Sequence, residues 1–433
     1  MSLRNLLMFA GVAMLFVLTG LFASWNQSLL ILNLSLVSAV IAMGVNLQWG
    51  YAGLFNVGIM GFTALGGLAV ALTSGKPMPE AFAQGGVQIF VALALAAAVI
   101  AGTILMRRRM KPGRLRNVAT VIVLVIGFVV YRMIFDPAVA RVESVNPALS
   151  GNVGGLGVNS LWGWVLGAFL AAGAAWLIGK TALGLRSDYL AIATLGIAEI
   201  IIQILKNEDW LARGVKMVND LPRPWPVPRE VDLQQSPRFL EFVRDWGWEP
   251  ALASTILVKL VYAALFLLVL AAIIWLSERA LNSPWGRMMR AIRDNEVAAA
   301  AMGKNVTSRH LQIFVLGSAL AGIGGAMLVS MDSLMNPGTY NPLRHTFLIW
   351  VMVVVGGSGN NWGSLLGALL IGWLYLIVEQ VGPAVMGFVT LGMADGPLRL
   401  HLINSAPHLR LLSMGIILLL VLRFAPRGLI PEK

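Results

Sequence analysis

Long apolar segments separated by short charged loops constrain the fold of this chain more than any other feature. Of its 433 residues, 58% are hydrophobic and 12% are charged, whereas soluble domains carry about 25% charged residues. A soluble fold could not bury so much apolar surface. The sequence therefore predicts an all-α, polytopic helical bundle in a membrane, with about 10–12 transmembrane helices. The candidate spans lie at residues 6–23, 28–48, 51–73, 87–106, 118–135, 161–179, 189–205, 255–276, 311–330, 346–356, 362–379 and 411–424.

The distribution of basic residues predicts the orientation of these spans. With the N-terminus in the cytoplasm, the cytoplasmic segments, counted with Arg423 at the last boundary, contain 18 Lys and Arg residues and five acidic residues. The rest of the chain contains 14 basic and 15 acidic residues. Because cytoplasmic loops carry an excess of Lys and Arg, we predict that both termini are cytoplasmic. The cytoplasmic segments are then 1–5, 49–50, 107–117, 180–188, 277–310, 357–361 and 425–433.

The segment from Pro284 to Gly303 is a charged, helix-prone stretch between two apolar spans. Ser283 can cap a helix that begins at Pro284, and Gly303 can end it in a left-handed conformation. Four consecutive alanines follow the charged residues, and small side chains beside charges allow another protein to approach closely. We interpret this stretch, which lies in the cytoplasmic loop at 277–310, as a docking helix.

The longest polar stretch, at residues 206–254, lies on the exterior side in this topology. Its repeated prolines favour extended backbone and interrupt helices. The stretch can be a rigid exterior cap over the bundle or part of a landing surface for an external partner. The sequence leaves both interpretations open.

Three polar residues in or beside the apolar spans are candidates for a translocation path. Glu199 is the only acidic residue well within a predicted span, and ionisable residues in membranes are rare and often functional. It can pair with a cation or a backbone donor in the bundle interior, or contact a passing substrate. Asn46 and Asn56 flank the turn after the second span. Ordinary interhelical hydrogen bonding is the alternative for both.

Several kinds of catalytic and metal site lack a signature in the sequence. The chain has no cysteine and four scattered histidines, which excludes thiolate metal sites and argues against a His-rich one. It has no GxxxxGK[ST] motif, the phosphate-binding loop of many ATP-hydrolysing proteins. Its basic residues are divided among loops and form no nucleic-acid-binding face. We therefore expect the chain not to be an enzyme and to bind no metal or cofactor directly.

Five distinctive sequence blocks follow one another along the chain. They are GVNLQWGYAGLFNVGIMGF (44–62), LGLRSDYLAIATLGIAEII (183–201), SPWGRMMRAIRDNEVAAAAMGKNVTSRHLQIFVLGSALAGIGGAML (283–328), VVVGGSGNNWGSLLGALL (353–370) and FAPRGLI (424–430). In content and order they resemble the permeases of branched-chain amino acid ABC transporters, specifically the LivM type of the LivH/LivM family. Together the blocks are specific for that family, whereas each alone would only suggest it.

The resemblance implies a single ABC-importer permease domain over residues 1–433, in the cytoplasmic (inner) membrane of a bacterium. Its implied partners are a homologous second permease subunit of the LivH type, two cytoplasmic ATPase subunits and a periplasmic substrate-binding protein. ATP and Mg would be bound by the ATPase subunits. The docking segment would then be a coupling helix seated in an ATPase cleft. Its implied coupling residues are Gly286, Arg287, Arg290, Ala291, Arg293, Asp294, Glu296, Ala298, Ala299 and Gly303.

The function implied by the resemblance is import of branched-chain amino acids, driven by ATP hydrolysis in the partner subunits. Permeases for urea and short-chain amides share the same sequence pattern, so this alternative substrate class stays open. A third reading is an ion-coupled secondary transporter. It would need coupling sites inside the membrane, for which Glu199 is a lone candidate.

Overall fold

The computed structural model describes residues 3–146, 151–393 and 396–432, and within these ranges its regular structure is helical, with two isolated β-bridges and no strand. Ten helices among the described residues are long and apolar enough to cross a membrane, and two shorter apolar helices, Ile59–Ser74 and Pro342–Gly356, accompany them. These twelve helices correspond to the twelve predicted spans. The predicted all-α membrane bundle is therefore confirmed.

The α-helices are numbered in chain order. The first eight are α1 (Leu3–Phe22), α2 (Trp25–Val45), α3 (Ile59–Ser74), α4 (Pro79–Ala81), α5 (Val87–Arg109), α6 (Arg114–Ser144), α7 (Ser160–Ala182) and α8 (Ser187–Asn207). The others are α9 (Asp209–Ala212), α10 (Glu230–Gln235), α11 (Pro237–Asp245), α12 (Pro250–Leu281), α13 (Pro284–Asp294), α14 (Glu296–Ala301), α15 (Val306–Asp332), α16 (Pro342–Gly356), α17 (Asn361–Val389), α18 (Pro397–Asn404) and α19 (Leu409–Phe424). Short π-helices at Asn46–Gly50 and Phe82–Gly86 extend α2 and precede α5.

Several helices differ in extent from their predicted spans, among them α12 and α17, which are each about ten residues longer, and two others show why. The span predicted at 51–73 becomes continuous helix only at Ile59, because residues 53–58 form an irregular turn in which Gly53 has a φ of +70°. The span predicted at 118–135 lies inside α6, which has 31 residues. Hydropathy marks only the apolar middle of such a helix, whereas its backbone hydrogen bonds continue into the charged ends.

Contacts between loops define one end of the bundle, which we call the basal end. Nη2 of Arg4 donates to the carbonyl oxygen of Leu429 at 3.3 Å. Nη1 of Arg293 lies 2.8 Å from Oε2 of Glu432. These pairs bring together three segments that the charge distribution assigns to one side of the membrane: 1–5, 277–310 and 425–433.

The insertion at 206–254 packs on the opposite end, which we call the apical end. Lys76 forms an ion pair with Asp220, and this ammonium group lowers the pKa of the Asp220 carboxyl. Nε2 of Gln234 donates to Oγ of Ser254 at 2.9 Å, which joins α10 to α12. These contacts support the interpretation as a rigid cap. A role as a landing surface for an external partner stays a prediction.

Helices α2 and α15 lie at the centre of the bundle, and α5 and α6 lie at its edge. In the most apolar stretch of each, 78% of the residues in α2 and 67% of those in α15 are buried. The corresponding shares are 17% for the span that includes α5 and 11% for α6. The hairpin of α5 and α6 therefore presents most of its surface to lipid or to another subunit.

Helices α3, α7 and α15 approach one another through glycines. A Cβ atom on Gly66 would lie 1.8 Å from the carbonyl oxygen of Gly322, and one on Gly322 would lie 2.5 Å from the carbonyl oxygen of Gly167. A backbone carbonyl inside a helix cannot move aside as the end of a flexible side chain can. Small residues are what allow helices to pack this closely in a membrane.

Candidate functional site

The predicted docking helix is two helices, α13 and α14, with a break at Asn295. Oγ of Ser283 accepts from the backbone N–H of Trp285 at 3.2 Å, and Gly303 has a φ of +76°. The predicted start and end of the helical segment are therefore confirmed. Its continuity was predicted wrongly, because Oδ1 of Asn295 accepts from the backbone N–H of Ala298 at 2.9 Å and begins a second helix.

One face of α13 is packed against the bundle. Gly286, Met289 and Ile292 are buried, and their spacing of three residues places them on one side of the helix. A Cβ atom on Gly286 would lie 2.1 Å from the carbonyl oxygen of Leu281, so the turn between α12 and α13 is tight. A movement of α13 is therefore transmitted to α12.

Arg293 anchors the end of α13 to two distant parts of the chain. Its guanidinium group donates to the carbonyl oxygen of Gly50 and pairs with Glu432 and Asp294, at 2.8 and 3.2 Å. Burial lowers the pKa of Arg293, but the hydrogen bonds and negative charges of Glu432 and Asp294 together raise it by more, so that the pKa is raised overall. Arg293 is thus directed into the protein, whereas 68% of the Asp294 side chain is exposed.

The residues that follow the break form an exposed knob, which we define as residues 296–302. Val297 and Met302 are each 79% exposed, and the alanines between them are exposed or half-buried. Apolar side chains exposed together on a polar loop are typical of a site that binds another protein. The knob lies at the basal end, on the loop that carries Arg293.

The predicted coupling residues differ in exposure, and their role as coupling residues stays a prediction. Gly286 is the only one that is buried. Arg290, Arg293 and Ala299 are half-buried. The others are exposed: Arg287, Ala291, Asp294, Glu296, Ala298 and Gly303.

Asn46 belongs to a buried polar network at the basal end. Its Nδ2 donates to Oδ1 of Asn361 at 3.1 Å, and its Oδ1 accepts from the backbone N–H of Gly359 at 2.9 Å. Nδ2 of Asn361 in turn donates to Oε1 of Glu278 at 2.9 Å. The network joins the end of α2 to α12 and to the start of α17.

Asn56 forms hydrogen bonds that hold the irregular turn before α3. Its Nδ2 donates to Oε1 of Gln48, and its Oδ1 accepts from the backbone N–H of Gly58, both at 2.9 Å. Nε2 of Gln48 donates to the carbonyl oxygen of Phe314 at 2.8 Å, which links the turn to α15. Ordinary structural hydrogen bonding is thus present at both asparagines. Their place in a translocation path stays a prediction.

Glu199 lies on the exposed side of α8 and not in the bundle interior. Its Oε1 accepts from Nε2 of Gln203, one helical turn later, at 2.7 Å. Contact with a passing substrate would therefore require a path along the outside of this chain. In the part of the chain that the structure describes, no group of three or more His, Asp or Glu side chains could bind a metal ion.

Sequence reasoning missed three residues at the basal end. Glu278 accepts a hydrogen bond from Asn361, Asn361 accepts one from Asn46, and Glu432 pairs with Arg293. Each belongs to a segment that the sequence analysis singled out. No spacing indicated these pairs, because their members are 83, 315 and 139 residues apart.

The fold and the site define a class of protein. A bundle with ten helices long and apolar enough to cross a membrane among its described residues, and with an exposed apolar knob at one end, is a multi-pass membrane protein. The family described as "Branched-chain amino acid transport system / permease component" matches residues 27–148 and 138–422. The chain belongs to this family.

Named relatives agree with this family. The chain is 26% identical over 274 residues to the "High-affinity branched-chain amino acid transport system permease protein LivM" of Salmonella typhimurium and to that of Escherichia coli, covering 61% of this chain and 56% of each relative. It is 28% identical over 280 residues to the "Probable branched-chain amino acid transport permease protein LivM" of Methanocaldococcus jannaschii, covering 63% and 66%. The chain thus spans little more than half the length of the first two. No solved structure matches it.

Proposed function

We propose that the chain is the permease subunit of an ATP-binding-cassette importer that moves branched-chain amino acids across the bacterial inner membrane. One observation carries this proposal. The knob exposes Val297 and Met302 on a loop outside the spans, at the end opposite the cap. An exposed apolar surface on a loop outside the membrane suits contact with a separate subunit that supplies the energy. The names of the relatives support the substrate class.

The proposed partners account for the surfaces that this chain leaves open. Two ATPase subunits would supply ATP hydrolysis, one of them seated on the knob, and this chain would catalyse no reaction itself. A homologous, LivH-like second permease would pack beside the bundle. A periplasmic binding protein would deliver the substrate to the apical end, where the insertion at 206–254 lies.

The anchoring of α13 supports a mechanism for coupling. When the ATPase subunits close, the knob would be pushed together with α13, because Asn295 caps α14 directly after α13. The tight turn at Gly286 passes the movement to α12. The bonds of Arg293 pass it to the end of α2 and to the segment around Glu432. Such rigid-body movement of packed helices is a common way to switch access between two sides.

The proposed orientation can be tested with single cysteines, because the chain contains none. Ala300→Cys in the knob and Gln235→Cys in the cap are both exposed positions. In intact spheroplasts that produce the permease without its ATPase subunits, a membrane-impermeant maleimide is expected to label the cap variant, and to label the knob variant only after permeabilisation. Labelling of the knob variant from outside would overturn the orientation and the ATPase contact together.

The substrate class is tested with the purified complex in liposomes, in the presence of its binding protein. Leucine, isoleucine or valine is expected to raise ATP hydrolysis several-fold, and urea and acetamide are not. Stimulation by urea or acetamide alone would instead identify an amide importer. Uptake driven by a proton or sodium gradient without ATP would identify a secondary transporter.

A further inference from the structure

A cavity of about 250 Å³ opens among α2, α3, α15, α16 and α17. On α16 it extends from His345 to Met352, which corresponds to a depth of about 10 Å at the helical rise per residue. Its mouth is near the apical end of α15, where the lining residues Asp332 and Thr339 are exposed. The described lining belongs to this one chain and is distinct from the knob and the basal network. The cavity volume is slightly smaller than the ~300–1,000 Å³ of many small-molecule sites, so the cavity suits a small ligand.

The deep part of the cavity is apolar. Its walls are formed by aliphatic and thioether side chains from different helices, so a branched hydrocarbon group can be surrounded on several sides. These residues include Ile41, Met60, Leu348, Ile349, Met352 and Leu376. Apolar lining with a few placed polar groups is typical of a site for a small ligand.

One side of the mouth carries a negative charge. Asp332 is the last residue of α15 and is exposed at the cavity. No ion pair with Asp332 forms among the residues that the structure describes. Its carboxylate is therefore available to a cationic group of a ligand, such as an ammonium group.

The other side of the cavity carries hydrogen-bond donors. The hydroxyl oxygen of Tyr375 accepts from Nη2 and Nε of Arg344, at 2.7 and 3.2 Å, so its own O–H is left to donate. Arg410, which is paired with Glu379, lies 5.2 Å from the ring of Tyr375. Arg344, through its bonds to the Tyr375 hydroxyl, thus makes this side favourable for a carboxylate, whereas Glu379 neutralises Arg410.

Two further polar groups in the lining can take part in binding. Nδ1 of His345 accepts from the backbone N–H of Asn341 at 3.2 Å, which leaves Nε2 as the N–H donor of a neutral imidazole. Oγ of Ser35 is fully buried and has no hydrogen-bond partner in the described part of the chain. A buried hydroxyl without a partner costs stability, and a rotation of Oγ toward the cavity, which Ser35 lines, would let a ligand satisfy it.

We propose that this cavity is a binding site within the single subunit for a zwitterionic α-amino acid with an aliphatic side chain. Asp332 would receive the ammonium group, and Tyr375 and His345 would receive the carboxylate. The hydrocarbon side chain would lie against Ile349 and Met352. The proposal rests on the proposed import function and adds that the substrate pauses inside this chain and not only at the boundary between two permeases.

The test measures binding of radiolabelled leucine to the detergent-solubilised complex without its binding protein, by equilibrium dialysis. Asp332→Asn keeps the shape of the side chain and removes its charge, and it is expected to weaken leucine binding at least tenfold. Ile349→Trp fills the cavity and is expected to abolish binding. Asp136→Asn, which removes an exposed carboxylate on α6 near the same end, is the matched control and should bind as the unmodified protein does.

Ligand analogues distinguish a direct contact of Asp332 with the ligand from a merely structural role of this residue. The unmodified complex should prefer leucine to 4-methylpentanoate, which lacks the ammonium group, and Asp332→Asn should lose most of this preference. Unchanged leucine binding in both cavity variants would overturn the inference and leave the import function intact. If the unmodified complex bound no leucine but bound a radiolabelled fatty acid, and Ile349→Trp abolished that binding, the cavity would be a lipid pocket instead. Failure of any amino acid to stimulate the unmodified importer would contradict the import function itself.

Discussion

Val297→Asp combined with Met302→Asp is expected to release the ATPase subunits from the complex. Both side chains are 79% exposed on the knob, and a charge at the centre of an apolar contact must be desolvated without a partner. A hot-spot residue contributes about 2 kcal/mol or more, so each substitution should weaken the contact by roughly 30-fold. Co-purification of the ATPase subunits with the tagged permease measures this loss, and ATP-driven uptake should fall with it.

Leu156→Asp is the matched control for the knob variant. Leu156 is 74% exposed, but its backbone N–H bonds to Leu72 at the apical end, away from the knob. The control should keep its ATPase subunits. If the knob variant also kept them and still transported, the knob would not be the site that binds the ATPase.

Gly66→Val is expected to prevent folding of the bundle. The added Cβ would lie 1.8 Å from the carbonyl oxygen of Gly322, inside a contact that three helices share. Overpacking of this kind, against backbone that cannot move aside, should cost more than about 3 kcal/mol, or roughly a hundredfold in the ratio of folded to unfolded protein. The yield of monodisperse protein in size-exclusion chromatography is the measurement.

Gly173→Val is the control for Gly66→Val. It places the same β-branched residue in a helix without disturbing a close helix–helix contact. Gly173 lies on α7, as Gly167 does, but a Cβ there would meet no atom within 4 Å. This variant should be purified in normal yield. Equal yields of the two variants would show that the glycine contact is not what holds these helices together.

The helices of this protein could be predicted well from its sequence, and their contacts could not. Hydropathy identified every span because lipid imposes one requirement on each span separately. Ser283 and Gly303 were interpreted correctly since a helix cap depends on adjacent residues. The break at Asn295 was missed because alanines and charges on both sides favour a helix, and one side-chain hydrogen bond decides the outcome.

The candidate site was predicted only in part, for a physical reason. The knob follows from local composition, since small residues beside charges suit a docking surface. The side chain of Arg293 points into the protein because it binds Gly50 and Glu432, and these residues lie next to it only in the folded bundle. Asp332 and Tyr375 likewise lie on different helices, and no periodicity in the sequence relates them.

The long separation between Arg293 and its partner bears on the order of events during biosynthesis. Glu432 follows Arg293 by 139 residues, with α15, α16, α17 and α19 in between. The ribosome must therefore deliver four further helices to the membrane before this ion pair can close. Until then α13 lacks one of its anchors, so the proposed ATPase-binding surface is not yet fixed in position. The proposed complex would therefore assemble more readily on permease chains that already contain Glu432 than on partly synthesised ones.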